Sequence, residues 1–193
     1  IRLSLSSTQV VAAGNVRTAR ISEGHDMSLS EPLYDSGDIH PIDIVENLAN
    51  HHSWDFDRVG EDQIAMAVEG QWRTYSITLA WSDTDETLRL ICTFEMEPPE
   101  DRLSHLYEAL NQINDLCWDG AFTYWHLQRL MVWRYGLVLS GGQIAGTEQI
   151  DRLIGSAVST AEKYYPALQL VTWANNTPEE AMRIVMAEAY GRA

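Results

Sequence analysis

Histidines, cysteines and closely spaced carboxylates are the side chains of this 193-residue sequence that could do chemistry, and their spacing decides whether they can act together. His51 and His52 are adjacent, so from a helix end they point in different directions and cannot easily share one metal. His40 and His51 lack the i, i+4 spacing of a helical metal pair, and neither Cys-x-x-Cys nor His-Glu-x-x-His occurs. Asp83-Thr84-Asp85-Glu86 has the acid density of a cation loop without its glycine or distal glutamate, and reads as a hairpin turn. Ser140-Gly141-Gly142-Gln143 has no lysine or hydroxyl at phosphate-loop spacing behind it, and reads as a linker. Gly-x-Ser-x-Gly is missing, and Cys92 falls in mid-strand, where a nucleophile would be hidden. Nothing assembles a nucleophile, a base and an oxyanion donor. The expectation is a protein with no catalytic residue, no metal and no cofactor.

The aromatics are the remaining candidates. Phe122, Tyr124, Trp125, Trp133 and Tyr135 cluster in one predicted hairpin, with Trp72, Tyr75 and Trp81 on a neighbouring meander. Aromatics at this density are ordinarily core. Yet both faces of the hairpin read as apolar, and a two-layer domain buries only one, so the other is expected to meet a second chain, an N-terminal arm or a client protein.

Composition narrows the partners. Thirteen basic residues stand against 28 acidic ones, a formal net charge of −15, and Lys163 is the single lysine. Phosphate backbones and anionic lipid are bound through Lys and Arg, so neither nucleic acid nor membrane is expected. The acidity reads as a device for solubility, or alternatively as a surface tuned for a basic partner. No run approaches the ~20 apolar residues of a membrane span, and the N-terminus shows no basic start followed by an apolar block, so a cytoplasmic location is expected. Cys92 and Cys117 then read as two buried thiols, with a disulfide between them as the alternative.

The elements that must position these residues are legible from period. Thr87–Met96 places Leu88, Leu90, Cys92, Phe94 and Met96 on one side of a period-two repeat, and Tyr75, Ile77, Leu79 and Trp81 alternate in the same way upstream. With Ser53–Val59 and Gln63–Glu69 they make a four-strand antiparallel meander; Ala121–Leu127 and Leu130–Leu139 form the hairpin. Pro41 opens a short helix to about His52. Leu103, Leu106, Tyr107, Leu110, Ile113 and Cys117 mark a second, and Thr147 starts a third that Pro166 is expected to end or kink. Thr177-Pro178-Glu179-Glu180 starts a fourth, with a capping box closed by a glutamate and Gly191 at its stop. Residues 1–37 show no sustained period and read as a flexible arm before a single domain at 38–193. Met27 stands directly before the regular part, and deleting residues 1–26 is expected to leave the melting temperature unchanged.

The element order, together with His40-Pro41-Ile42-Asp43, Trp54-Asp55-Phe56-Asp57-Arg58, Glu69-Gly70-Gln71-Trp72 and Trp133-Arg134-Tyr135-Gly136-Leu137, resembles the bacterial YbjN family over roughly residues 38–190. The resemblance implies a sensory transduction regulator similar to the type III secretion chaperones: an α+β domain, dimeric, without cofactor or catalytic residues. The expected fold is an antiparallel sheet of about six strands covered by helices. The expected function is non-enzymatic, a homodimer that binds an unidentified protein client. Strand edges and the Trp125/Trp133/Tyr135 surface are expected to accept an extended peptide. The rival is a small-molecule sensor or enzyme with a pocket between sheet and helices.

Overall fold

Period-two alternation becomes a six-stranded antiparallel sheet in the structure, a computed structural model that describes residues 40–191. The expectations for residues 1–37 lie outside the described residues. Helix α1 (Pro41–His52) carries proline in its first turn, and the His40 ring accepts the Ile42 N–H at 3.2 Å. Strands β1 (Asp55–Gly60), β2 (Gln63–Glu69), β3 (Thr74–Ser82) and β4 (Thr87–Glu95) form the meander. Helix α2 (Leu103–Asp115) follows, then β5 (Ala121–Trp125), β6 (Leu130–Val138), α3 (Thr147–Trp173) and α4 (Pro178–Gly191). The strand order is β1-β2-β3-β4-β6-β5, so the hairpin adds to the meander through β6 and leaves β1 and β5 at the edges.

Register sorts the side chains into two unlike faces. Phe56, Met66, Ile77, Cys92, Trp133 and Phe122 form one row across all six strands, each directly opposite the next. Helices α1, α2 and α3 lie over this face: α1 on β1 to β3, α3 on β4 and β6, α2 on β5. The parallel row on the other face is Asp57, Ala65, Thr78, Ile91, Arg134 and Ala121. That face is small and polar over β2 and β3 and more apolar near β6, where Ile91, Leu130, Val132 and Trp125 lie; the hairpin carries apolar side chains on both sides.

Helix α4 packs on α2 and α3 as an outer element. Its start is the expected capping box: Glu180 N–H donates to Thr177 Oγ1 at 3.3 Å, and the Glu180 carboxylate accepts the Thr177 N–H at 3.0 Å. β1 starts two residues later than expected and β5 ends two residues earlier, and two helices also differ from expectation. α2 stops at Asp115, leaving Cys117 beyond its end and half-buried. α3 runs without a break through Pro166 to Trp173. A proline inside a helix costs about 3 kcal/mol, but Ala161, Tyr164, Tyr165, Ala167, Leu168 and Val171 are all buried around it. The packing on both sides of Pro166 holds the helix together.

Candidate functional site

The five hairpin aromatics do not form one surface. Trp133 is 0% exposed, and Gly120 at φ 141° leaves the space its ring occupies, since any side chain there would collide with the indole. Phe122 is buried edge-on against Tyr164 of α3, with centroids 6.3 Å apart. Tyr135 stacks beside Trp133 at 6.3 Å and lines a small cavity of about 160 Å³ under α3, with Asp119, Gln149 and Arg152. Tyr124 is half-buried and donates its hydroxyl to Met96 O at 3.1 Å. Trp125 faces the opposite side of the sheet, paired with Leu130. The expected Trp125/Trp133/Tyr135 surface is therefore corrected: Trp133 and Phe122 belong to the core beneath the helices, and period two sends Trp125 to the other face.

The strand edges are guarded as well. Asn114 reaches from α2 to β5 and imitates a neighbouring strand, accepting the Phe122 N–H at 2.7 Å and donating to Phe122 O at 3.0 Å. On the opposite edge, β1 exposes Asp55 and Asp57 and breaks register between Arg58 and Gly60. Short strands, edge charges and bulges oppose the addition of another strand.

The polar clusters hold elements together. His40 meets Asp62 at 3.1 Å, and His52 meets Asp151 at 2.9 Å while stacking on Trp54. Arg58 joins β1 to α1 through Asp43 and Glu46 at 2.6 and 2.7 Å. Asp85 pairs with Arg89 at 2.5 Å, and the bonds from Ser82 and Arg89 hold its carboxyl below the ordinary value. Burial pushes the Cys92 thiol up to about 12, which leaves it protonated and unreactive at neutral pH. Both cysteines are free thiols.

Exposed aromatics converge elsewhere, in a groove of about 480 Å³ between α3, α4 and the β2–β3 turn. Pro166, Gln169, Leu170 and Trp173 stand at i, i+3, i+4 and i+7 on one side of α3; Ile184 and Val185 face them from α4, and Trp72 closes the end. Trp72 is 47% exposed, Trp173 50% and Ile184 41%. No charged side chain lines the groove among the described residues. Trp118 is more exposed still, but it stands on the loop after α2, away from these walls.

Two polar latches hold the groove's walls. Glu162 of α3 accepts the backbone N–H groups of Gln71 and Trp72 at 3.0 and 3.2 Å, pinning the turn to the helix. That approach requires Gly70, because a methyl group there would collide with the Glu162 carboxylate and the Tyr75 ring. Burial, and next the Glu162 carboxylate, raise the Tyr75 phenol above its ordinary value. Trp72 stacks on Tyr165, whose other contact is the Arg73 guanidinium 5.6 Å from its ring centre. At the other end Arg102 donates to Val171 O at 2.9 and 2.7 Å, to Asn176 O at 2.6 Å and to Asn175 Oδ1 at 2.9 Å. A cation at the last carbonyls of α3 complements the helix dipole and sets the angle at which α4 departs. Sequence reasoning placed Trp72 on the meander and did not single out Trp173 or Ile184. The signal was the α3 stripe continuing through Pro166, which a helix stopped at that proline hides.

A six-stranded antiparallel sheet with helices over one face defines the class, an α+β domain. The chain belongs to the YbjN family, described as "Putative bacterial sensory transduction regulator", whose model matches residues 41–170, about two thirds of the chain. The end of α3 and all of α4 lie beyond the matched residues, so the groove takes side chains from inside and outside the match. A solved structure, "Crystal structure of YbjN, a putative transcription regulator from E. coli", is similar at 12% identity, over 69% of this chain and 90% of that one, with a TM-score of 0.48. No curated protein matches. No helix among the described residues is long and apolar enough to cross a membrane.

Proposed function

We propose that this chain is a non-enzymatic cytoplasmic regulator that works by binding a partner protein, and that the α3–α4 groove is its contact surface. The observation that carries this reading is the convergence of Trp72, Trp173 and Ile184, each 41 to 50% exposed, on one uncharged groove. Half-exposed tryptophans in a concave apolar site are the usual anchors of protein interfaces. A homodimer is part of the proposal. The helices of the described residues pack on the other face of the sheet, and Ile91 and Trp125 on this one are partly exposed, which offers a second copy a contact.

The small-molecule alternative has less support. The cavity between sheet and α3 measures about 160 Å³, against about 300–1,000 Å³ for ordinary ligand sites, and the groove of about 480 Å³ has Gln169 as its one polar side chain among the described residues to orient a ligand.

The test is capture from native lysate with wild-type protein beside Leu170→Asp and Trp173→Ala, with folding checked by circular dichroism. Loss of the same partner from both variants supports the reading; undiminished capture by folded variants sinks it. Sedimentation measures the copy number separately, and a single-copy mass removes the dimer.

A further inference from the structure

We infer that the groove receives an amphipathic helix whose outer face is rich in lysine and arginine. This rests on the reading of the groove as a protein contact.

The shape comes first. α3 and α4 are joined by a four-residue connection, Ala174 to Thr177, and pack on each other. The furrow beside such a pair accepts a third helix as a bundle does. The stripe from Pro166 to Trp173 advances seven residues, about 10 Å at ~1.5 Å per residue. It therefore matches two turns of a partner carrying apolar anchors at i, i+3 or i+4, and i+7. An extended peptide adding to the sheet is the weaker occupant, because Asn114 occupies the β5 edge at Phe122 and Asp55, Asp57 and a register break guard β1.

The polar content of the lining is small. Gln169 is its single amide, and its Nε2 already donates to the Tyr165 hydroxyl at 3.1 Å. The face that enters the groove must then be apolar, and a charge buried there would find no partner.

Charge selects the other face of the incoming helix. Between residues 40 and 191 the chain has nine basic side chains against 23 acidic ones, a net of −14. A basic helix is drawn towards such a surface and an acidic one repelled. Lysine or arginine at the groove's rim also meets the faces of Trp72 and Trp173, which attract cations.

Three labelled peptides of roughly 18 residues, long enough to hold a helix, test the inference by fluorescence anisotropy against the full chain. One carries leucines at i, i+3, i+4 and i+7 among lysines. The second keeps the leucines and replaces lysine by glutamate, and the third keeps the lysines and shuffles the leucines. The first is expected to bind at least about tenfold more tightly than the other two and to weaken severalfold between about 0.1 and 1 M salt. Its binding should fall about tenfold in Leu170→Asp and Trp173→Ala, and stay unchanged in Leu127→Asp, a turn variant on β5–β6. Equal binding of the glutamate or the shuffled peptide overturns the inference. So does wild-type affinity in the groove variants. If no peptide binds while the groove variants still lose their native partner, the inference falls and the groove reading stands. If the groove variants keep that partner, the reading itself falls. A dimer that dissociates in the groove variants identifies a second copy as the occupant and also overturns the inference.

Discussion

The β5–β6 hairpin carries five aromatic side chains and the α3–α4 groove two, yet both groove tryptophans are about half exposed while each of the hairpin five is buried or partly buried. Local density does not account for the difference; layering does. Trp133 sits one strand in from the β5 edge, in a row that crosses all six strands beneath α1, α2 and α3, so the helices that close the core also bury it. Trp173 sits at the end of a 27-residue helix, which at ~1.5 Å per residue spans about 40 Å. The longest strands have nine residues, about 30 Å at ~3.3 Å per residue. Six strands at ~4.8 Å spacing reach about 24 Å from edge to edge. α3 is longer than the sheet in either direction; its last turn meets α4, Arg102 and Met96, which bury Val171 and Thr172 and leave Trp173 half exposed. Aromatics beneath the helices hold the fold together, and those on the overhang are available to a partner.

The contrast can be tested by substitution, beginning with the largest effect. Trp133→Ala should cost about 3–5 kcal/mol of stability, the range for deleting a buried aromatic, measured by urea unfolding. A change below 1 kcal/mol would place Trp133 outside the core and return the hairpin to consideration as a surface. Arg102→Ala removes four hydrogen bonds from the end of α3 and the loop before α4. Bonds from a charged donor lead us to expect a loss of about 2–3 kcal/mol, with faster amide exchange in α4 than in the sheet. Uniform exchange would show that Arg102 does not govern α4.

Gly70→Ala should cost about 1–3 kcal/mol through overpacking against Tyr75 and should alter Trp72 fluorescence. Wild-type stability in that variant would mean that the turn does not sit as closely on α3 as described. Trp173→Ala should cost about 1 kcal/mol or less, as for a half-exposed side chain, while removing partner binding. That would reverse the pattern of Trp133→Ala. The smallest effect is chemical. Burial holds both thiols protonated, Cys92 up to about 12, and Cys117 is the more accessible of the two. A thiol reagent at neutral pH should modify Cys117 slowly and Cys92 only on unfolding. Rapid reaction of both would show that the sheet's central row opens readily.

The groove was harder to see in the sequence than the sheet. Alternation in Thr87–Glu95 and the capping box at Thr177–Glu180 are recorded by neighbouring residues, so reading along the chain recovers them. Glu162 and Gln71 are 91 residues apart, and Arg102 and Val171 are 69 apart. Neither latch has a local signature. α3 continues past Pro166, where an end or a kink was expected, for a related reason: a proline's intrinsic cost is local, while the packing of Tyr165 and Leu168 that outweighs it comes from distant parts of the chain.

By itself, the sequence determined the order of strands and helices, the single apolar row of the meander, the negative charge and the want of catalytic spacing. Each of these follows from the period of side chains along a strand or helix, or from composition. The tertiary structure decided which tryptophans are hidden. An indole contributes to folding where helices cover it and to recognition where they do not, and coverage depends on segments brought together from distant parts of the chain.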